Sequence, residues 1–416
     1  MRIRKLLLCI TCCLCGTVNA KDIYVAAPAG TVLPPWKEGY LDIHHINTGC
    51  GNATFCILPD GTTLLIDAGE NKVGDERHVP AKPNNSKAPG QWIAEYIKMF
   101  SPDRTPVIDY CLVTHFHKDH IGGVLERKSP KGGYYLTGVS EVNEYIPIKK
   151  IIDRDYPDYN FIRPAETEKF FYNYLDFTDY LKQSNPDIME RFRVGANDQF
   201  KLKHNPEAYK YLFEIRNLIA NGTMWTGRDG EIKSLFPDLS GVSKGNWPNE
   251  NSLSCAIKLS YGKFNYYTGG DLTGYPKPGR PSWHDLETPL APVIGEVEVC
   301  VVNHHGYDNA TNDTFVSTLK PQVFVMHAWD ALHPNHSTLT RMLAKQLYPN
   351  ARDVFSTNML EATRIVIGDL TKQMKSRQGH IVIRVNPGGG QYMVYVLEDG
   401  NTQRLVKSTY GPYICR

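Results

Sequence analysis

Beyond its first twenty residues, the 416-residue sequence has no long hydrophobic run. A bilayer-spanning helix needs about 20 consecutive apolar residues, so none is expected in the chain that follows. An excess of either charge is also missing: Lys+Arg number 46 and Asp+Glu 44, for a formal net charge of +2. That balance gives no electrostatic reason to expect tight binding of nucleic acid or of an anionic membrane surface. Gly-x-x-x-x-Gly-Lys-Ser/Thr is absent. That absence removes the phosphate-cradling loop from consideration. There is no internal repeat, heptad pattern or low-complexity tract. Cysteine is thin past the N-terminus, since four of the ten (Cys9, Cys12, Cys13, Cys15) fall within residues 1–20. Of the rest, Cys56, Cys111, Cys255 and Cys300 sit in apolar, strand-like runs. They are expected as small buried residues rather than a disulfide framework. Cys50 with Cys56 is the pair to check first for a bridge.

Hydrophobic residues make up 41% and charged residues 22%, which is enough apolar material to build a core and exclude wholesale disorder. Arg2, Arg4 and Lys5 precede an apolar run from Leu6 to Cys15, and Val18 and Ala20 stand at the −3 and −1 positions of a cleavage site. This pattern predicts a secretory signal peptide over residues 1–20 and an exported protein, periplasmic or extracellular, comprising residues 21–416. Thr54–Pro59 and Thr62–Asp67 flank Asp60-Gly61 and predict a hairpin. Gln91–Phe100 has helical spacing, Val107–Val113 reads as a buried strand, and Gly122–Glu126 as the start of a helix. Residues about 128–248 are rich in Tyr, Phe, Asp and Asn and are expected as a helix/loop insertion. Their aromatics either line a lid or pack the insertion onto the core. Regular strands then resume: Ser252–Tyr261 with Phe264–Thr268, Val297–Asn303 and Val323–Met326. A helix over Ser337–Leu347 with Ser337 as its cap, and a C-terminal hairpin of His380–Val385 and Gln391–Leu397 within a hairpin and tail over about 380–416, complete the pattern. The fold class is α/β (α+β), layered around one core.

The chemistry is concentrated in histidine, of which there are 14. His115-Phe-His117-Lys-Asp119-His120 follows a strand. His115 and His117, two apart, can face the same side, and Asp119 and His120 follow at a turn. Imidazole and carboxylate suit zinc and similar divalent ions, and this is more donors than one ion needs. Asp67 ends the first hairpin before Ala-Gly, where a carboxylate can orient a ligand histidine from behind. Asp271 follows Gly-Gly at the end of the later hairpin and can bridge two ions. His304-His305-Gly306 closes a buried strand, and either imidazole can be the ligand.

These residues, in this order, resemble the metallo-β-lactamase-fold hydrolases, over about residues 40–350. The closer likeness is to the ComEC-type branch, through Leu58-Pro-Asp-Gly-Thr62, His117-Lys-Asp-His-Ile-Gly-Gly123, Asn251-Ser-Leu-Ser254, Gly269-Gly-Asp271, His304-His-Gly306 and His333-Pro334. Two departures stand out. A run commonly acidic in that branch reads Asn47-Thr-Gly-Cys-Gly-Asn52 here, and the family's middle histidine ligand has no match, since only His204, in a loop-like setting, lies between His120 and Asp271. Asn249 or Asn251 is the alternative donor there.

The resemblance implies a four-layer αβ/βα sandwich with metals at one edge of the sheets. It implies His115 and His117 on a first ion, Asp119 and His120 on a second, Asp271 bridging, and His305 as the remaining ligand. Zn²⁺ is the implied ion, one or two per chain, with Mn²⁺ as the other candidate. Asp119, His304 and His333 are the implied catalytic residues, His304 contacting substrate or supporting the ligands from behind, and His333 at the pocket rim as a substrate contact or proton donor. The implied activity is hydrolysis of phosphodiester or phosphoester bonds, in a small molecule or a polymer, by metal-activated water. Two other readings stay open: acyl hydrolysis of a lactam, lactone or ester, and an exported binding protein with a relic site.

Overall fold

A computed structural model describes residues 27–71, 76–276 and 278–416. The signal peptide expected over residues 1–20 lies outside the described residues. Two mixed sheets face each other. The first contains β1 (Leu41–His45), β2 (Thr54–Ile57), β3 (Thr63–Ile66), β4 (Tyr110–Leu112), β5 (Ile151–Asp153) and β6 (Met189–Arg191). The second contains β7 (Phe213–Ala220), β8 (Thr223–Trp225), β9 (Ile232–Ser234), β10 (Ala256–Tyr261), β11 (Phe264–Thr268), β12 (Val299–Val301), β13 (Val323–Met326) and β14 (Asp353–Ser356). The chain then returns to the first sheet as β15 (His380–Val385), β16 (Gln391–Leu397) and β17 (Val406–Ile414). The spatial orders are β17-β16-β15-β1-β2-β3-β4-β5-β6 and β14-β13-β12-β11-β10-β7-β8-β9.

Alternation along the strands builds the layers. Leu64 and Ile66 of β3 and Leu112 of β4 point into the core between the sheets, where they share a cluster with Ile257, Leu259, Val299 and Val323 of the second sheet. Leu65 and Cys111 point the other way, onto α1 (Pro89–Phe100), α2 (Lys118–Ile121), α3 (Gly138–Tyr145) and α4 (Lys169–Ser184), through Ile93, Ile121, Val142 and Phe177. A short α5 (Pro206–Tyr209) lies between the sheets' strands in sequence. The outer face of the second sheet is covered by α6 (Glu287–Ile294), α7 (Asp313–Leu319), α8 (His336–Leu343) and α9 (Glu361–Ile367), through Leu290, Phe315, Leu339 and Ile367. The result is the expected αβ/βα sandwich. No helix among the described residues is long and apolar enough to cross a membrane.

Several local expectations match the structure. The three hairpins pair as expected, with Ile57 opposite Thr63, Tyr261 opposite Phe264 and Val385 opposite Tyr392. Others are corrected. The helix expected from Gly122 is instead the single turn Lys118–Ile121, and it ends at Gly122, whose φ of 101° no helix can continue. The cap of α8 is Asn335, whose side chain accepts from the Ser337 amide at 3.0 Å, so Ser337 lies inside the helix. The segment over about 128–248 supplies β5 to β9 and α3 to α5, so both sheets draw strands from it. Several of its aromatics are packing groups. Phe171, Tyr174 and Phe177 join the outer core, and the Tyr159 and Tyr174 hydroxyls donate to Asp153. All six described cysteines are buried and unpaired, so Cys50 and Cys56 form no bridge.

β3 pairs antiparallel with β2 but parallel with β4, and β11 pairs antiparallel with β10 but parallel with β12. Within each sheet the parallel strands, β3 with β4 and β11 with β12 and β13, therefore end along one edge. Asp67, Thr114–His120, Asp271, His304–His305 and His327 all follow the carboxyl ends of β3, β4, β11, β12 and β13.

Candidate metal centre

The backbone at this edge is held in unusual conformations. Asp67, His304 and His305 all adopt left-handed φ, at 59°, 46° and 55°. Each costs conformational energy that only a well-determined surrounding structure sustains, and such positions cluster at functional sites. Gly69 lies against the Asp119 carbonyl so closely that a β-carbon there would stand 1.8 Å from the oxygen. Around that contact the Asn52, Ala68 and Glu70 amides donate to the carbonyls of Asp119, His120 and Lys118 at 2.8, 2.9 and 3.0 Å. The turn carrying Asp119 and His120 is thereby fixed to the end of β3.

The side chains converge in two overlapping groups. Asp119, His120, Asp271 and His305 form one, and His115, His117 and Asp271 the other, each with its ligand atoms within 4.8 Å of one another. Asp271 belongs to both. His120 Nε2 stands 3.2 Å from Asp271 Oδ1 and 3.7 Å from Asp119 Oδ2. His305 Nε2 stands 3.0 Å from Asp119 Oδ2 and 3.4 Å from Asp271 Oδ2. His115 Nε2 is 3.7 Å from Asp271 Oδ2 and 3.2 Å from His117 Nδ1. Donors bound at about 2.0–2.1 Å in a tetrahedron sit roughly 3.3 Å apart, so these separations suit a common ion.

Hydrogen bonding behind the rings sets which nitrogen faces inward. Asp67 Oδ2 accepts from His120 Nδ1 at 2.7 Å, and the Thr114 hydroxyl donates to the same oxygen at 2.8 Å. The Thr114 oxygen is then free to accept from His115 Nδ1, 3.2 Å away. His305 Nδ1 donates to the His327 carbonyl at 2.9 Å. In the neutral form of all three rings these bonds put the proton on the outer nitrogen and leave Nε2 to direct a lone pair at the centre, the arrangement metal-ligating histidines show. His120 Nε2 and Asp271 Oδ1 are buried with no hydrogen-bond partner. Buried polar atoms are rarely left so, and a cation between them satisfies both. The residues present therefore fit a pair of divalent ions.

The electrostatics agree. Burial pulls the His120 pKa down, but Asp271, Asp67 and Asp119 outweigh it and hold the ring well above its ordinary value. Burial works likewise against His305, yet Asp271 and Asp119 bring it to about 9. Burial raises Asp119 and Asp271, but the facing histidines hold both carboxyls well below their usual range. The two carboxylates thus demand positive charge at the centre, which protons or metal ions can supply. His115 goes the other way, since burial and the neighbouring His120 favour its neutral form.

His304, Asn251 and His333 stand beside the centre. His304 is excluded from both groups. Its Nδ1 is 2.7 Å from Asn309 Oδ1, its Nε2 3.0 Å from Asn251 Nδ2 and 3.8 Å from Asp271 Oδ2. Of the two asparagines considered for the missing donor, Asn251 is at the centre, with Oδ1 buried and unpartnered. Asn249 instead caps a turn by accepting from Ser252. His333 stacks on His305 at 4.7 Å, and its Nδ1 accepts from the Asp330 amide at 3.2 Å, which leaves the ring proton on Nε2. Burial holds His333 well below its ordinary pKa. His204 is exposed, with its amide donating to Asp60, and takes no part. His327 is buried and bonds to His45, and its carbonyl orients His305. Thr114, Asn309 and the His327 carbonyl carry no signal in the sequence, because their roles arise from contacts across strands.

Asp67 acts through His120. Asp67→Asn keeps the size of the side chain but removes the charge that holds the outer proton. Metal affinity is expected to fall about 10–100-fold, with the melting temperature nearly unchanged. Competition against a fluorescent chelator measures it.

No family model matches this chain, and no curated protein does. Among solved structures, it is similar to unliganded yeast PDE1, at 12% identity and a TM-score of 0.35, over 83% of this chain and 99% of that one. It is also similar to human tRNase Z, short form (ELAC1), at 11% identity and a TM-score of 0.31, over 70% of this chain and 96% of that one.

Proposed function

We propose that this chain is a metal-dependent hydrolase of the metallo-β-lactamase fold, acting on phosphodiester or related phosphoester bonds. The observation that carries the reading is the pair of buried His/Asp groups that share Asp271 at the facing edges of the two sheets. The phosphoester assignment draws on the sequence likeness to the ComEC-type branch. His115, His117 and Asp271 would hold one ion, and Asp119, His120, Asp271 and His305 the other. When bound, such ions supply Lewis acidity, acidifying water and neutralising charge on the ester oxygens.

The chain's own residues do the rest. Asp67 and the His327 carbonyl accept from the outer nitrogens of His120 and His305, so each ring in its neutral form turns its inner lone pair to the centre. Asn251 and Asn309 bracket His304 on both ring nitrogens, which fixes its plane beside Asp271 and suits it to contact a substrate oxygen. His333 is neutral with its N–H at Nε2, which suits it to donate a hydrogen bond to a substrate oxygen. Export follows from the N-terminal pattern as part of the same proposal, and sequencing the N-terminus of secreted material tests it, with Lys21 expected first.

The test of function is turnover of an activated phosphodiester and an activated carboxyl ester side by side, each with and without a chelator. Chelator-sensitive cleavage of the phosphodiester is expected. Cleavage of the carboxyl ester alone would replace this reading with acyl hydrolysis. Stoichiometric metal with no turnover of any ester would favour a binding protein.

A further inference from the structure

Arg154 directly follows β5 and is 1% exposed, a guanidinium taken almost wholly out of water. Its partner is Glu250, far away in sequence. Arg154 Nε and Nη2 donate to the two Glu250 oxygens at 2.9 and 2.8 Å. Nη1 donates to the Phe161 carbonyl and to Asn221 Oδ1, both at 3.1 Å, and the Asn221 amide returns a bond to the Arg154 carbonyl at 2.9 Å. Buried ion pairs of this kind rarely stabilise a fold more than apolar residues of the same volume. Their use is to fix one arrangement over others.

What this pair fixes is the metal centre. Glu250 Oε1 also accepts from the Phe116 amide at 2.8 Å, and the Arg154 guanidinium lies 4.5 Å from the centre of the Phe116 ring. Phe116 stands between His115 and His117. Its peptide plane decides whether those two rings face the same side. Asn251, the next residue after Glu250, presents its amide to His304 Nε2 at 3.0 Å. One carboxylate therefore ties the His115–His117 loop to the turn carrying Asn251. The two groups depend on it unequally. His120 and His305 are braced by Asp67 and the His327 carbonyl. His117 is only half-buried, and its one ring hydrogen bond among the described residues is to His115.

We propose that Arg154 and Glu250 are positioning residues for the His115–His117–Asp271 group, setting its affinity for a divalent ion while leaving the Asp119–His120–Asp271–His305 group untouched. The inference rests on the two-metal reading above. Its test is a Co²⁺ titration of the full chain, following visible absorbance and bound cobalt. The unaltered chain is expected to bind two equivalents. In Glu250→Ala one equivalent keeps its affinity, and the other weakens at least about tenfold and loses its absorbance band. Glu250→Gln, which retains an acceptor for the Phe116 amide, recovers most of that loss. If Glu250→Ala fails to fold with Arg154 left unpaired, the double variant Arg154→Met/Glu250→Ala removes both charges and is expected to give the same asymmetric result. Two equivalents weakening together, neither weakening, or Gln behaving as Ala overturns the proposal alone. Fewer than two equivalents in the unaltered chain overturns the two-metal reading and the proposal with it.

Discussion

Asp271→Ala is expected to empty both metal groups at once and to lower hydrolysis on the order of 10³-fold or more. Asp271 is the one side chain common to the two groups. Its carboxylate stands 3.2 to 3.8 Å from the Nε2 atoms of His120, His305, His115 and His304. Truncation leaves those imidazoles without the charge that makes them worth binding to as a set. Asp119→Ala should behave differently, because Asp119 belongs to one group only. One ion is expected to survive there, with activity still severely reduced. Metal content per folded chain, with circular dichroism as a control for folding, separates the two variants. Equal metal loss in both would mean that Asp271 is not shared.

The largest effect on stability is expected far from the centre, at Arg384→Met. Arg384 on β15 sits directly opposite Asp42 on β1, and its Nε and Nη2 donate to the two Asp42 oxygens at 2.8 and 2.5 Å. Both residues are buried, and His44 Nε2 is 3.7 Å from the same carboxylate. Methionine fills much of the volume but leaves a buried, unpaired carboxylate, at a cost of roughly 3–5 kcal/mol. The pH dependence follows with its sign. Burial raises the Asp42 pKa, but Arg384 outweighs it and brings the value from 3.8 to about 2. The unfolded chain therefore binds the proton first as acid is added. The pair's contribution is complete above about pH 4 and is lost as pH falls through 2. In Arg384→Met the carboxyl has burial without a partner, so its pKa rises and mild acid should restore part of the lost stability. Urea midpoints at pH 7 and pH 4 check this. A larger deficit at pH 4 than at pH 7 would contradict it.

What could be read from the sequence is what short-range pattern encodes. The hairpins at Asp60-Gly61 and Gly262-Lys263 follow from turn residues between apolar runs, and β13, β15 and β16 fall on the expected residues. The histidine-rich stretch marked the centre because four donors in so short a span are hard to explain as packing. Long-range contacts were not legible. Asp153 in the 128–248 segment is paired with Tyr159 and Tyr174, and β5 adds beside β4, but nothing periodic marks those residues as sheet. Arg154 and Glu250 are 96 positions apart. The choice between His304 and His305 required geometry as well. Both have left-handed backbones, so adjacent rings diverge, one toward Asp119 and Asp271 and the other between two asparagines. The single turn at Lys118–Ile121 has no helical pattern of its own to mark it, because it is held by its carbonyls accepting from the amides of Asn52, Ala68 and Glu70.

Whether the shared carboxylate of Asp271 organises two divalent ions is decided by elemental analysis of the full chain, equilibrated with Zn²⁺ and then dialysed against metal-free buffer. Two ions per chain are expected, falling to none in Asp271→Ala while the fold persists. A folded, unaltered chain that retains no ion, or an Asp271→Ala variant that retains both, would contradict it.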